Sequence, residues 1–265
     1  MRKFKECPFC SSSEFIKYGK YNKIQRYKCK NQLCNKTFSD CTNTVWYNSK
    51  KPTDHWYQYC KLMFSGKTIR ECASKLNISI NTSFQWRHKI LNKLPICNKS
   101  IYLDNYIGFK NIYLYENFKR KKNLYLLNQN RKKVFVSVCV DENKTSFAQI
   151  ISKDILNQKK SYNLIKNKLN FKSQVIGFLD RYAIAISKKL NKNLMKLKKY
   201  SKSKEIELRN LTNLFCMELR TWLAFFKGVA TKYLDSYLYW FVHIFENSFS
   251  NKIISSKILS AIFCS

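Results

Sequence analysis

The chain has 265 residues, with 50 Lys and Arg against 16 Asp and Glu, a formal net charge of +34, and is 45% hydrophobic and 15% aromatic. That apolar content can bury real cores, and the length suits one large domain or two to three small ones. The charge excess points to a polyanionic partner, nucleic acid ahead of an anionic membrane, because each phosphate contact releases condensed counterions. The longest apolar stretch, Tyr237 to Phe245, is interrupted by His243 and is too short to span a bilayer. The first residues, Met1-Arg2-Lys3-Phe4-Lys5-Glu6, lack the apolar region of a signal peptide. Eleven cysteines, an odd number, with no export signal argue for an intracellular, reducing compartment where paired thiols bind metal.

Three blocks separate by texture, and together they predict a multidomain α+β chain. Residues 1–49 carry Cys7-Pro8-Phe9-Cys10 and, eighteen residues later, Cys29-Lys30-Asn31-Gln32-Leu33-Cys34. Two close thiolate pairs on two turns supply the four corners of a tetrahedral Zn²⁺ site, so Cys7, Cys10, Cys29 and Cys34 are predicted ligands. The aromatic and β-branched residues between them suit a small β-ribbon whose folding energy comes from the metal. Cys41 lies nearby, outside the quartet.

Residues 50–97 read as short helices with a helix-turn-helix. Thr68 is placed to cap one helix, with Glu71 completing a capping box, and Ser79 to cap a second that runs to about Leu94. At 100° per residue Ser83, Trp86, Ile90 and Leu94 form the inward stripe. Asn81, Gln85, His88 and Asn92 form the opposite face, flanked by Arg87 and Lys89. Amide and basic side chains on such a helix read base edges and clamp phosphates, so Asn81, Gln85, Arg87, His88 and Lys89 are predicted DNA contacts.

Residues 98–250 alternate β-rich runs with helical stretches. Ile101 to Ile107 alternates like a strand with Asp104 in its middle, and Val175 to Asp180 reads as a buried strand ending in Asp180. A carboxylate on an apolar strand is costly unless paired or bound to a cation. Neighbouring strands would let Asp104 and Asp180 share two Mg²⁺ or Mn²⁺ ions about 3.5–4 Å apart, the arrangement of phosphodiester chemistry. Glu205 to Phe226 reads as one long helix with Leu208, Leu211, Phe215, Leu219, Trp222 and Phe226 as its apolar stripe. Arg209, Asn213, Cys216 and Arg220 lie opposite; the Asn213 amide is a candidate metal ligand and Arg220 a candidate phosphate contact. Gly228 ends that helix and Thr231 is placed to cap the next, Lys232 to about Glu246. Residues 251–265 form a tail without a readable signal.

In order along the chain, these segments resemble the zinc-ribbon insertion-sequence transposases of bacteria and their eukaryotic Merlin relatives. The resemblance rests on Gln25-Arg26-Tyr27-Lys28-Cys29, Lys36-Thr37-Phe38, Thr82 to Leu91, and Phe226 to Leu234 followed by Tyr237-Leu238 and Trp240-Phe241. It implies an RNase H-like nuclease domain in which Asp104 is the first acid, Asp180 the second, Asn213 the asparagine, and Arg220 stands where a lysine is expected. It further implies a transposase that binds inverted repeats and target DNA as a dimer, and performs strand cleavage and transfer. Three positions depart from the pattern: Asn105 replaces the usual Glu, Cys216 replaces a His or Glu, and Arg220 keeps the charge with different geometry. They define the alternative expectation, a transposase-derived DNA-binding protein or regulator that no longer cleaves.

Overall fold

A computed structural model of the chain describes residues 4–21, 24–94, 102–117, 131–170, 172–178, 180–192, 201–226 and 228–249. The fold is mixed α and β, and the described residues divide near Lys93 into two compact units.

The first unit opens with three short strands, β1 (Phe15–Tyr21), β2 (Ile24–Cys29) and β3 (Thr37–Ser39). They form an antiparallel sheet in that order, with Tyr27 opposite both Lys17 and Phe38. Strand alternation turns Phe15, Tyr27 and Phe38 to one side. Their rings pack with that of Phe4 at centroid separations of 4.9–5.7 Å, against Cys7 and Cys29. So small an apolar cluster cannot hold a fold alone.

Helices α1 (Thr53–Phe64), α2 (Ile69–Lys75) and α3 (Ile80–Leu91) follow. The capping box forms: Thr68 Oγ1 accepts from Glu71 N–H at 3.2 Å, and a Glu71 carboxylate oxygen accepts from Thr68 N–H at 2.8 Å. Asn77 takes a left-handed φ of 48° to turn the chain, and Ser79 accepts from Thr82 N–H at 3.0 Å to start α3. Trp86 of the inward stripe stacks on Trp56 at 3.9 Å, and the Tyr59 hydroxyl donates to the Ser83 carbonyl. Helix α3 ends at Leu91, a turn earlier than its periodicity suggests.

The second unit runs β4 (Tyr106–Tyr115), β5 (Lys133–Asp141), β6 (Ser146–Lys153), α4 (Gln158–Lys166), β7 (Gln174–Gly177), α5 (Arg181–Asn191) and α6 (Lys202–Phe225). A 3₁₀ turn at Thr231–Tyr233 then leads into α7 (Leu234–Ser248). Its sheet has the order β6-β5-β4-β7, with β4, β5 and β6 antiparallel and β7 parallel to β4. Helices cover both faces, which is why β5 reads as an almost unbroken apolar run. Val134, Val136, Val138 and Val140 pack with Phe215 and Leu219 of α6 and Leu238, Phe241 and Phe245 of α7. Ile107, Phe109, Cys139 and Val175 pack on the other face with Ile165 of α4 and Ala183, Ile186 and Leu190 of α5. At Gly108 a side chain would collide with Thr212, so its absence lets α6 lie against β4.

Three expectations change in this unit. Asp104 is not in a strand: Asn105 takes a left-handed φ of 56°, which breaks the extended run, and β4 begins at Tyr106. Cys216 is buried in the core, so the helix face expected to be polar is interrupted there. The last helix begins at Leu234, after the 3₁₀ turn, and extends to Ser248.

Candidate metal centre and nucleic-acid surface

The quartet Cys7, Cys10, Cys29 and Cys34 converges, with all four Sγ atoms within 4.8 Å of one another. Cys7 and Cys34 are 3.9 Å apart and Cys10 and Cys29 are 3.6 Å apart. A tetrahedron with Zn–S bonds near 2.3 Å has edges of about 3.8 Å, so the thiols fit a metal ion such as zinc. The local backbone makes this possible twice over in the same way. Cys7 accepts from Ser11 N–H at 2.9 Å, and Asn31 accepts from Asn35 N–H at 2.9 Å. The residue after the second cysteine of each pair, Ser11 or Asn35, sits at positive φ, 57° and 45°. The first pair therefore sits on one tight turn, while in the second pair Cys29 ends β2 and Cys34 lies on the turn that follows it. Among the described residues this is the one group of three or more metal-ligating side chains close enough to share an ion.

On α3, Asn81, Gln85, Lys89 and Asn92 are exposed, in line with the predicted outward face. His88 is half-buried, its ring 4.3 Å from that of Phe84. Lys89 donates to the Tyr47 carbonyl at 3.3 Å. Arg87 corrects the expectation of a DNA contact: it is 0% exposed and donates to the Lys67 carbonyl at 2.6 Å. One residue beyond Trp86, it turns inward against the end of α1 and the start of α2 rather than out. The exposed apolar side chains of Ile80 and Phe84 belong to the outer face and were passed over because a 3.6-residue reading assigns apolar residues to the interior.

The carboxylates do not assemble as expected. Asp104 lies two residues before β4, where its N–H donates to Asp141 Oδ2 at 3.4 Å and its own Oδ1 accepts from Asn105 N–H at 3.1 Å. Asp180 caps α5, with Oδ1 accepting from Tyr182 N–H at 3.0 Å and Oδ2 from Asn111 Nδ2 at 3.2 Å. Because β4 and β7 are parallel, the start of β4 and the end of β7 are opposite ends of the pair. Asp180 meets β4 at Asn111, and the strand from Tyr106 to Asn111 alone spans about 16 Å at roughly 3.3 Å per residue. A shared pair of ions needs oxygens within a few ångströms, so Asp104 and Asp180 do not form one cluster.

Asn213 on α6 is also engaged, its Oδ1 accepting from Lys110 Nζ at 3.0 Å. An ammonium group stands where a magnesium ligand set would need an anion. Strand alternation separates this contact from Asp180, since Lys110 and Asn111 face opposite sides of the sheet. Arg220 is exposed two turns further along α6. Burial pushes the Cys216 thiol up to about 11 even though Lys110 and Arg220 pull it down. Two acids that the sequence reading missed are buried instead. Asp141 accepts from Thr145 N–H at 2.8 Å, with burial raising its carboxyl above the usual range, and Glu116 pairs with Lys153 at 2.7 Å. Both sit at strand ends, and that was their only sequence signal.

No family model matches the chain. Over 92 residues, 33% of its length, the chain is 34% identical to an uncharacterized protein in transposable element ISH50 of Halobacterium salinarum. The match spans 30% of that protein, so the chain covers about a third of its relative's length. Among the described residues no helix is long and apolar enough to cross a membrane.

Proposed function

We propose that the chain is a mobile-element protein that binds duplex DNA, with its zinc ribbon gripping the backbone and α3 reading base edges in the terminal inverted repeats. The observation that carries this reading is the exposed Asn81–Gln85–Asn92 face on a helix capped at its start by Ser79, in a chain with +34 charge. With 50 basic side chains and 16 acidic ones, at least 34 cations have no acid to pair with, and phosphate is the natural counterion. The likeness to a transposable-element protein supports the biological setting. A dimer would bring two element ends together. The test is fluorescence anisotropy with a duplex carrying the element's own terminal repeat and a scrambled duplex of equal length. Equal affinity for the two would overturn sequence recognition.

A second reading, a transposase that also cleaves and transfers strands, is favoured by the sheet order β6-β5-β4-β7 with only β7 parallel, which matches the first four strands of an RNase H-like domain. Its metal site would have to differ from the Asp104–Asp180 pair, which the strand register holds apart. A strand-transfer assay on element ends with Mg²⁺ or Mn²⁺ separates the two readings. The structure favours binding without cleavage, because Lys110 holds Asn213 and Asp180 is committed to a helix cap.

A further inference from the structure

We infer that the solvent-facing side of the ribbon is a platform for single-stranded DNA, on which Tyr18 stacks against an unpaired base while Arg26 and Lys28 hold neighbouring phosphates. This rests on the DNA-binding reading above and adds a substrate class to it.

The sheet has two unlike sides. Register places Phe15, Tyr27 and Phe38 on the cysteine side, so Ile16, Arg26, Lys28, Thr37 and Ser39 point away from it. Tyr18 shares that outer side, because the Arg26 guanidinium lies 5.6 Å and the Lys28 ammonium 5.5 Å from its ring centroid. A small unit with few apolar residues to spare nevertheless leaves Tyr18 47% and Tyr21 68% exposed. The same pairing of an exposed ring with a cation recurs at Phe9, where Lys36 lies 5.0 Å from the centroid. From Phe15 to Ser39 the sequence has seven basic residues and no acid. An anion therefore meets no repulsion anywhere on these strands.

Cations alone would serve duplex and single strand alike. Exposed rings discriminate, because base faces are covered by their neighbours in a duplex and free in a single strand. Aromatic rings set among backbone-tracking cations are the combination that binds single strands without reading their sequence. Opening of element ends or of a target would supply such a strand, next to a helix that holds the duplex.

The experiment uses the full zinc-loaded chain, titrated against a labelled oligodeoxythymidine and against a duplex at one fixed salt concentration. Stacking is worth about 1–3 kcal/mol per base, so Tyr18→Ala should weaken single-strand binding by about fivefold to a hundredfold. Duplex affinity should stay within about twofold, and zinc content should be unchanged. Tyr18→Phe should bind as the parent does. Tyr18→Lys separates stacking from charge: it should weaken single-strand binding, whereas a purely electrostatic surface would bind more tightly. Unchanged single-strand affinity in Tyr18→Ala, tighter binding by Tyr18→Lys, or duplex binding with no single-strand binding overturns the platform and leaves the helix-turn-helix reading standing. Loss of binding to every DNA in the parent chain overturns that reading too.

Discussion

Four thiols within 4.8 Å would repel one another as thiolates without a cation, and two of them, Cys7 and Cys29, are buried, where an uncompensated charge is costly. Metal binding resolves both problems, and it couples occupancy to pH because each ligand must lose its proton. Replacing Cys29 with Ser should therefore remove one bound zinc per chain, read by atomic emission, and open the ribbon to proteolysis while the second unit keeps its protection. A second titratable side chain lies in the other unit. Burial lowers the His243 imidazole of α7 to about 4, with its Nε2 shut off from solvent. Unfolded histidine titrates near 6.5, so between these values the unfolded chain takes up a proton that the folded chain refuses. Stability from this group is present above about pH 6.5 and is lost as pH falls toward 4, at about 1.4 kcal/mol per pH unit. His243→Phe should flatten the acid limb of a plot of Tm against pH in that window. An unchanged slope would show that the imidazole is not the group responsible.

At the level of elements, the helix pair α2 and α3 was legible because its signals are local. Thr68, Glu71 and Ser79 make the capping bonds that their spacing implies, and the stripe through Trp86 and Ile90 is buried as its periodicity requires. Thr68→Ala should cost about 1 kcal/mol, seen as a lower Tm of the first unit. Arg87 was misplaced because helical periodicity assigns a face and cannot foresee that the Lys67 carbonyl needs a donor. The two neighbouring residues should thus respond differently. Arg87→Ala should lower stability by several kcal/mol and be read in a denaturant titration. Gln85→Ala should leave stability within about 0.5 kcal/mol and reduce discrimination between repeat and scrambled duplex by about fivefold to a hundredfold. Loss of affinity without loss of stability in Arg87→Ala would restore that side chain to the DNA surface.

For the molecule as a whole, the division near residue 93 and the change in sheet character across it follow from composition: a cysteine- and aromatic-rich start, then alternating apolar runs. What sequence reasoning could not supply was register. Asp104 and Asp180 both flank apolar strands and both looked like ligands, yet a parallel pairing of Tyr106 with Gln174 sets them at opposite ends. No local pattern encodes that offset. Charge acts globally too. Duplex affinity should fall steeply with salt, with log Kd rising against log salt at a slope near 0.9 for each phosphate contacted. A slope below about 2 would mean that the excess of cations plays little part in binding.

The hydrogen bonds of Asp180 continue past Asn111: Asn111 Oδ1 accepts from Ser137 Oγ at 2.9 Å, and the Ser137 and Ser161 hydroxyls, both fully buried, meet at 2.8 Å. The Asp180 side chain is thus the outer anchor of a polar seam stitching two strands, β4 and β5, to the helices α4 and α5. Truncating it to test chemistry would also unfasten the start of α5 and leave the Asn111 amide without its acceptor. An Asp180→Ala variant inactive in the strand-transfer assay would then report a loosened scaffold, and only a variant with an intact melting profile could speak to chemistry.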